Sequence, residues 1–361
     1  MATAGQWQVV AAAAAVVALA MAVTPAWCRT LENKVTAVIV FGDSIVDPGN
    51  NNYLLTGVKA NHAPYGKDFA GHVATGRFSD GLIPSDLIAQ GLNVKQLVPP
   101  YLGVQHTPED LRTGVSFASG ASGFDPLTPV IMGVISMEQQ LVYYDEYRSK
   151  LVGIAGEEET KRIIDGALFI VCSGTDDIAN TYYTTPLRRV QYDIPSYVDL
   201  LLDGVESFLR NMSARGAKRI GFVGLPPIGC LPSQRTLGGG PRRSCEPERN
   251  AAAQLYNTKV QELILELGKD MVGFPNLFYI DIYTVVQDLV DHGERYGFSE
   301  MTRGCCGTGM IEVSTGCDAM LNPVCDDVSK HVFFDSYHPT EAAYKIIMDY
   351  IFDHYIQYMH L

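Results

Sequence analysis

Three residues in this chain have the types and setting for hydrolytic chemistry. Ser44 ends the stretch Thr36-Ala-Val-Ile-Val-Phe-Gly-Asp-Ser44, directly after an apolar run. A hydroxyl at the carboxyl end of a buried strand lies where open α/β sheets place their ligand crevice. Near the other end of the chain stands Phe333-Phe-Asp-Ser-Tyr-His-Pro339. Asp335 and His338, in a loop before a helix, could converge so that the carboxylate fixes the imidazole Nδ1–H and leaves Nε2 facing Ser44. A serine activated in this way attacks an acyl carbon, provided that donors stabilise the oxyanion that develops. A plainer reading exists for each residue. Asp43 and Ser44 are good helix N-caps, Asp335 can cap the helix that follows, and most of the eight histidines suit an ordinary surface.

The elements that must position these groups follow from the apolar pattern. Val38 to Phe41 are β-formers without a charge, as in a strand buried on both faces of a parallel sheet, and Gly42 ends it. Gly114 to Ala118 reads as a short strand entering the turn Ser119 to Gly123. Leu168 to Cys172 is a second buried strand, breaking into Ser173-Gly-Thr-Asp-Asp177, and Arg219 to Val223 and Leu277 to Ile280 supply two more. Helices are expected near Leu82 to Leu92, Met137 to Val152, Glu157 to Asp165, Pro195 to Met212 and Pro247 to Leu267, with a last one starting near Pro339. Strands interleaved with helices imply an α/β fold whose parallel sheet is covered on both faces. Right-handed crossovers would bring Ser44, the Ser119 turn and the Ser173–Asp177 turn to one edge of that sheet.

Composition bounds the rest. Lys and Arg number 27 against 40 Asp and Glu, a formal charge of -13, which disfavours nucleic acid as a partner. Val9 to Val23 is an apolar run too short for a comfortable membrane span and of the length of a secretory h-region. Ala26 and Cys28 suit cleavage after Cys28, although no Lys or Arg precedes the run. The expected organisation is a signal peptide over residues 1–28, then one domain over 29–361 that is secreted and extracellular. No second apolar run reaches spanning length, and no repeat or linker divides the chain. Cys172 reads as a buried thiol. Cys230 and Cys245 bracket one loop, and Cys305, Cys306, Cys317 and Cys325 fall in another, so pairing within each loop would give three bridges. Zinc is the competing explanation, but two CxxC pairs are lacking, and neither a metal nor another cofactor is expected. Asn211-Met-Ser213 is a glycosylation sequon.

Four blocks carry a resemblance. Phe41-Gly-Asp-Ser-Ile-Val-Asp-Pro-Gly-Asn-Asn-Asn52, Gly114-Val-Ser-Phe-Ala-Ser-Gly120, Gly174-Thr-Asp-Asp177 and Asp335-Ser-Tyr-His-Pro339 are similar, in order, to the blocks of plant GDSL-type esterase/lipases of the SGNH hydrolase superfamily. Gly174 to Tyr182 most resembles the extracellular-lipase branch associated with anther and pollen coat. The resemblance covers nearly all of residues 29–361. It implies a three-layer αβα, flavodoxin-like parallel sheet and a secreted hydrolase of carboxylic esters, lipid or other small molecules. Ser44 would be the nucleophile, His338 the general base and Asp335 its orienting acid. The oxyanion would be held by the N–H of Ser44, the N–H of Gly120 and the side chain at Asp176. An acyltransferase using the same triad, and a secreted ligand-binding protein on an inactivated hydrolase scaffold, are the alternative functions.

Two positions depart from the family pattern: Asp176 and Ser116 each stand where the family has Asn. Asn offers N–H donors, whereas an ionised carboxylate only accepts and repels an oxyanion. Losing one such donor typically costs about 100- to 1,000-fold in turnover. A neutral Asp176 could donate one O–H; alternatively its side chain turns away to cap the following helix.

Overall fold

The computed structural model describes residues 35–270 and 276–359. The expected signal peptide, residues 1–28, lies outside the described residues. Four parallel strands form the sheet: β1 (Val38–Gly42), β2 (Leu168–Cys172), β3 (Arg219–Val223) and β4 (Asn276–Ile280), hydrogen-bonded in that order. On the free side of β1 runs the segment around Ser116, whose neighbour Phe117 donates its N–H to Val40 O at 2.8 Å. In chain order the sheet therefore reads 2-1-3-4-5, the flavodoxin-like arrangement, with its crevice at the carboxyl ends.

The seven longer helices are α1 (Pro84–Gly91), α2 (Met137–Ala155), α3 (Glu157–Gly166), α4 (Ile194–Ala214), α5 (Pro247–Asp270), α6 (Tyr283–His292) and α7 (Glu341–Met359). Successive strand residues alternate between two cores. Ile39, Phe41, Phe169 and Phe222 pack with Tyr144 of α2, Leu201 and Phe208 of α4 and Tyr256 of α5. Val40, Ile170, Cys172 and Ile280 pack on the other face with Ile88 of α1, Leu289 of α6 and Ile347 of α7. Each large apolar side chain so buried contributes about 1.5–3 kcal/mol relative to leaving it exposed. Burial on both faces explains why β1 and β2 read as unbroken apolar runs. The helix starts are marked locally: Ser136 accepts from the Gln139 N–H at 3.2 Å before α2, and Asp193 from the Ser196 N–H at 2.9 Å before α4.

Several expectations need adjusting. The strand expected over Gly114 to Ala118 shrinks to a bridge at Ser116: Val115 O and the Phe117 and Ser119 N–H groups bond to β1, but the Gly42 N–H that would continue the ladder goes to the Gln140 side chain. The last helix begins at Glu341 rather than Pro339, with Thr340 Oγ1 accepting the Ala343 N–H. Helix α6 and a small parallel pair, β5 (Glu300–Gly304) with β6 (His331–Phe333), lie in regions that the apolar pattern left as loops. The disulfides follow the loops as expected: Cys230–Cys245, Cys305–Cys325 and Cys306–Cys317, with Cys172 buried and unpaired. Among the described residues no helix is long and apolar enough to cross a membrane.

Candidate active site

Strand β1 ends at Gly42, where the chain turns hard against β2. Its φ is +144°, and a Cβ there would lie 1.9 Å from the Cys172 carbonyl oxygen, so only glycine fits. Gln140 of α2 locks the corner: the Gly42 N–H donates to Gln140 Oε1 at 2.8 Å, and Gln140 Nε2 donates to Gly42 O at 2.9 Å. Asp43 accepts the Ile45 N–H at 3.1 Å and so does cap the short turn Ser44–Val46. Ser44 is not spent on capping. Its Oγ lies 2.7 Å from His338 Nε2.

The loop before α7 supplies the partners. Asp335, fully buried, lies 2.7 and 2.9 Å from His338 Nδ1 through its two oxygens. It is held in turn by the backbone N–H groups of Tyr337 and His338, at 2.8 and 2.7 Å, and by the Tyr65 hydroxyl at 2.7 Å. That phenol accepts the Ser314 N–H at 2.7 Å, and burial followed by the Asp335 charge keeps it well above its usual pKa and so protonated. The Phe78 ring packs against the imidazole with centroids 5.0 Å apart. The hydrogen bonds orient Nδ1 towards the acid and leave Nε2 for the hydroxyl, the arrangement that general-base activation of a serine needs.

The oxyanion side is less simple. The Gly120 N–H donates to Asp47 Oδ2 at 3.0 Å, so in this structure it is engaged by a carboxylate. The same Asp47 takes the Gly49 and Asn50 N–H groups at 2.8 and 2.7 Å; burial lifts it to about 6 against the pull of these bonds. Ala121, the next residue, carries a φ of +66° and lines the crevice together with Ser44. Asp176 lines the same crevice beside Ser44 and His338. Its carboxyl makes no capping bond to the π-helical stretch Asp177–Thr184, so the expectation that it turns away to cap a helix is not met. Burial raises Asp176 to about 6, opposed by His338 and by the hydrogen bond from Asn180. Its neighbour Asp177 faces away, holding Phe124, Asp125 and Thr128, and burial lifts it to about 8.

A profile of the GDSL-like Lipase/Acylhydrolase family matches residues 38–351. The chain belongs to this family. Its relatives include two proteins of Arabidopsis thaliana: GDSL esterase/lipase At1g20120 is 49% identical over 319 residues, covering 88% of this chain and 79% of that one. GDSL esterase/lipase EXL3 is 47% identical over 322 residues, covering 89% and 88%. A GDSL-type carboxylic ester hydrolase is thus what the fold carries.

This GDSL hydrolase holds its unusual Asp176 with a directed relay. Arg249 Nη1 donates to Gln234 Oε1, Gln234 Nε2 to the Tyr337 hydroxyl at 2.8 Å, and that hydroxyl to Asn180 Oδ1 at 2.6 Å. Asn180 Nδ2 then donates to Asp176 Oδ1 at 2.6 Å. Every donor points the same way, so Oδ1 is fixed as an acceptor and a proton on Asp176 resides on Oδ2. The four matched blocks do not single out Asn180, Tyr337 or Tyr65. Tyr337 lies between the two matched residues Asp335 and His338, and Asn180 one helical turn after Asp176, so spacing held a faint signal for both; nothing near Tyr65 marked it. The Ser116 departure has a local account as well. Its hydroxyl donates to Val46 O at 2.9 Å and accepts the Ala118 N–H at 3.2 Å, tying the turn after Ser44 to the neighbouring segment.

Proposed function

We propose that this ester hydrolase works through an acyl-enzyme on Ser44. The 2.7 Å approach of Ser44 Oγ to His338 Nε2, with Asp335 bridging Nδ1, carries the reading. Nε2 takes the hydroxyl proton as Oγ attacks the ester carbonyl, and the tetrahedral oxyanion forms opposite the Ser44 N–H and the Asp176 side chain. Collapse expels the alcohol, which receives the proton from Nε2. Water, deprotonated by the same nitrogen, then attacks the acyl-Ser44 ester and releases the acid. Asp335 holds the imidazole tautomer and stabilises the imidazolium throughout. In this reading Gly120 contributes its N–H only after exchanging Asp47 for the substrate.

An active-site fluorophosphonate tests the assignment. One equivalent is expected to attach to the peptide containing Ser44 in the native protein and none in the unfolded chain, read by mass spectrometry. Turnover of p-nitrophenyl acetate by protein that remains unlabelled at Ser44 would rule the acyl-enzyme route out.

The proposed mature protein spans residues 29–361, is secreted, and carries its chemistry in one domain. The three disulfides support export, since such bridges persist in oxidising compartments. Protein recovered from the medium is expected to begin at Arg29 and to carry six oxidised cysteines. Each bridge is typically worth about 2–4 kcal/mol, so a reductant should lower the unfolding temperature by many degrees. Peptide mapping that found those six thiols free would contradict this.

A further inference from the structure

The two oxygens of Asp335 are held in different ways. Oδ1 accepts the backbone N–H groups of Tyr337 and His338, both from its own loop. Oδ2 has no such tie: besides His338 Nδ1 at 2.7 Å, its contact among the described residues is the Tyr65 hydroxyl, also at 2.7 Å. The direction of that bond is fixed. A backbone amide only donates, so the phenol oxygen accepts from the Ser314 N–H and its single proton goes to Oδ2. The Tyr65 ring is clamped in turn, with centroids 5.3 Å from Phe334 and 6.0 Å from Phe78, and the residue is buried.

Ser314 belongs to a loop closed by the Cys306–Cys317 bridge. Its φ is +56°, and its hydroxyl accepts the Lys59 N–H at 2.6 Å and donates to Gly57 O at 2.9 Å. Glu312 folds the same loop on itself, taking the N–H groups of Thr308, Met310 and Ile311 at 3.0, 3.2 and 3.2 Å. The loop also reaches the backbone around the acid: Glu312 O accepts the Ser336 N–H, and the Cys306 N–H donates to Phe334 O, both at 2.9 Å. These contacts fix where residues 334–336 run. Tyr65 extends the same hold to the carboxylate itself.

We propose that Tyr65 is a positioning residue of this hydrolase, fixing the plane of the Asp335 carboxylate, and that the disulfide-closed loop 306–317 holds Tyr65 to that task. The proposal rests on the acyl-enzyme reading above and adds a fourth side chain to its line of hydrogen bonds. Without the phenol proton the carboxylate keeps its two backbone donors on Oδ1 but can turn about its Cβ–Cγ bond, taking Oδ2 out of line with His338 Nδ1. Oδ1, already accepting two N–H groups, would have to serve the imidazole as well. An imidazole held less firmly spends less time with Nε2 aimed at Ser44 Oγ, and small misplacements of this kind cost up to about 100-fold in turnover. Tyr65 is not among the residues that line the crevice, so substrate binding does not depend on it. A purely electronic role predicts the opposite sign, because a carboxylate with one donor fewer is the stronger acceptor of Nδ1–H.

Tyr65→Phe keeps the ring and removes only the hydroxyl. It is expected to lower kcat for p-nitrophenyl acetate by about 10- to 100-fold and to leave KM within about twofold. In proton NMR the His338 Nδ1–H resonance, identified by its loss in His338→Ala, should exchange with water at least about tenfold faster than in the wild type. An unchanged kcat with a lowered unfolding temperature would make Tyr65 a packing residue and overturn the proposal, as would a raised kcat. Cys306→Ala together with Cys317→Ala releases the loop and should lower kcat in the same sense. Combined with Tyr65→Phe it should cost nothing further, since both act on Oδ2, whereas independent effects would multiply and overturn the link. Should the cysteine variant fail to fold, Ser314→Ala, which loses the bonds to Lys59 and Gly57 but keeps the bridge, takes its part with the same two outcomes. The NMR readout needs no turnover, so the two readings separate. Faster Nδ1–H exchange in Tyr65→Phe, with no fluorophosphonate on Ser44 of the wild type, would leave the role of Tyr65 standing and the acyl-enzyme reading fallen. Labelled Ser44 with kcat and exchange unmoved by Tyr65→Phe would do the reverse.

Discussion

Ser44→Ala is expected to lower kcat for p-nitrophenyl acetate by about 10⁵- to 10⁶-fold, the scale seen when a hydrolase loses its nucleophilic serine. The substitution removes one side-chain hydrogen bond, that to His338 Nε2, and leaves the backbone N–H in place. Gly42 still turns the corner on its bonds to Gln140, and Asp43 still caps the turn. A single neutral hydrogen bond at a crevice is worth about 0.5–1.5 kcal/mol, so thermal unfolding should move by only a few degrees. Steady-state kinetics and a melting curve on the same preparation decide the matter. Turnover within tenfold of wild type, on a protein that melts normally, would take the nucleophile's role from Ser44.

Asp176→Asn should do the opposite, and only at higher pH. Burial places the Asp176 carboxyl at about 6, above its ordinary value, so below that pH it is neutral and can donate from Oδ2 while Oδ1 stays with Asn180. Above it the group is an anion that accepts only, and in the proposed mechanism it would face the developing oxyanion. At pH 8 about one molecule in a hundred carries the proton. The wild type is therefore expected to lose activity as the pH rises through about 6. Asn donates at every pH and can keep the Asn180 bond, so the variant should gain up to about 100-fold in kcat/KM at pH 8 and little at pH 5. Profiles of kcat/KM against pH that run parallel for the two proteins would rule out a titrating carboxyl at the oxyanion.

Much of this was legible in the chain because a few residues carry strong, local constraints. Val38 to Phe41 and Leu168 to Cys172 are covered on both faces and so read as uninterrupted apolar runs. The Gly42–Ser44 corner and the Asp335–His338 loop are short, and their parts meet as spacing implied. What escaped is what depends on distant partners. Tyr65 reaches Asp335 across 270 positions, and Tyr337 reaches Asn180 across 157, with no local periodicity to announce either. The segment at Ser116 has the apolar texture of a strand, but the Gly42 N–H that would continue its ladder goes to the distant Gln140 side chain. Helix α6 and the β5–β6 pair lie beside irregular, disulfide-bearing chain, where the expected loops masked short elements. The crevice at Ser44 is lined jointly by β2, β3 and α7, which no single stretch encodes.

Ser44 and His338 meet across 294 positions of the chain. A protein made from its amino terminus can build β1, β2 and β3 around the serine long before the loop that carries its base exists. Until α7 docks, neither the imidazole nor one wall of the crevice is in place, and such long-range contacts form slowly. In the proposed mechanism, competence would be the last property this chain acquires. On the proposed mechanism, a half-made or carboxyl-terminally clipped copy would present the serine without the imidazole that activates it, so ester-bearing molecules at the site of synthesis would meet a working hydrolase only once the whole chain is folded.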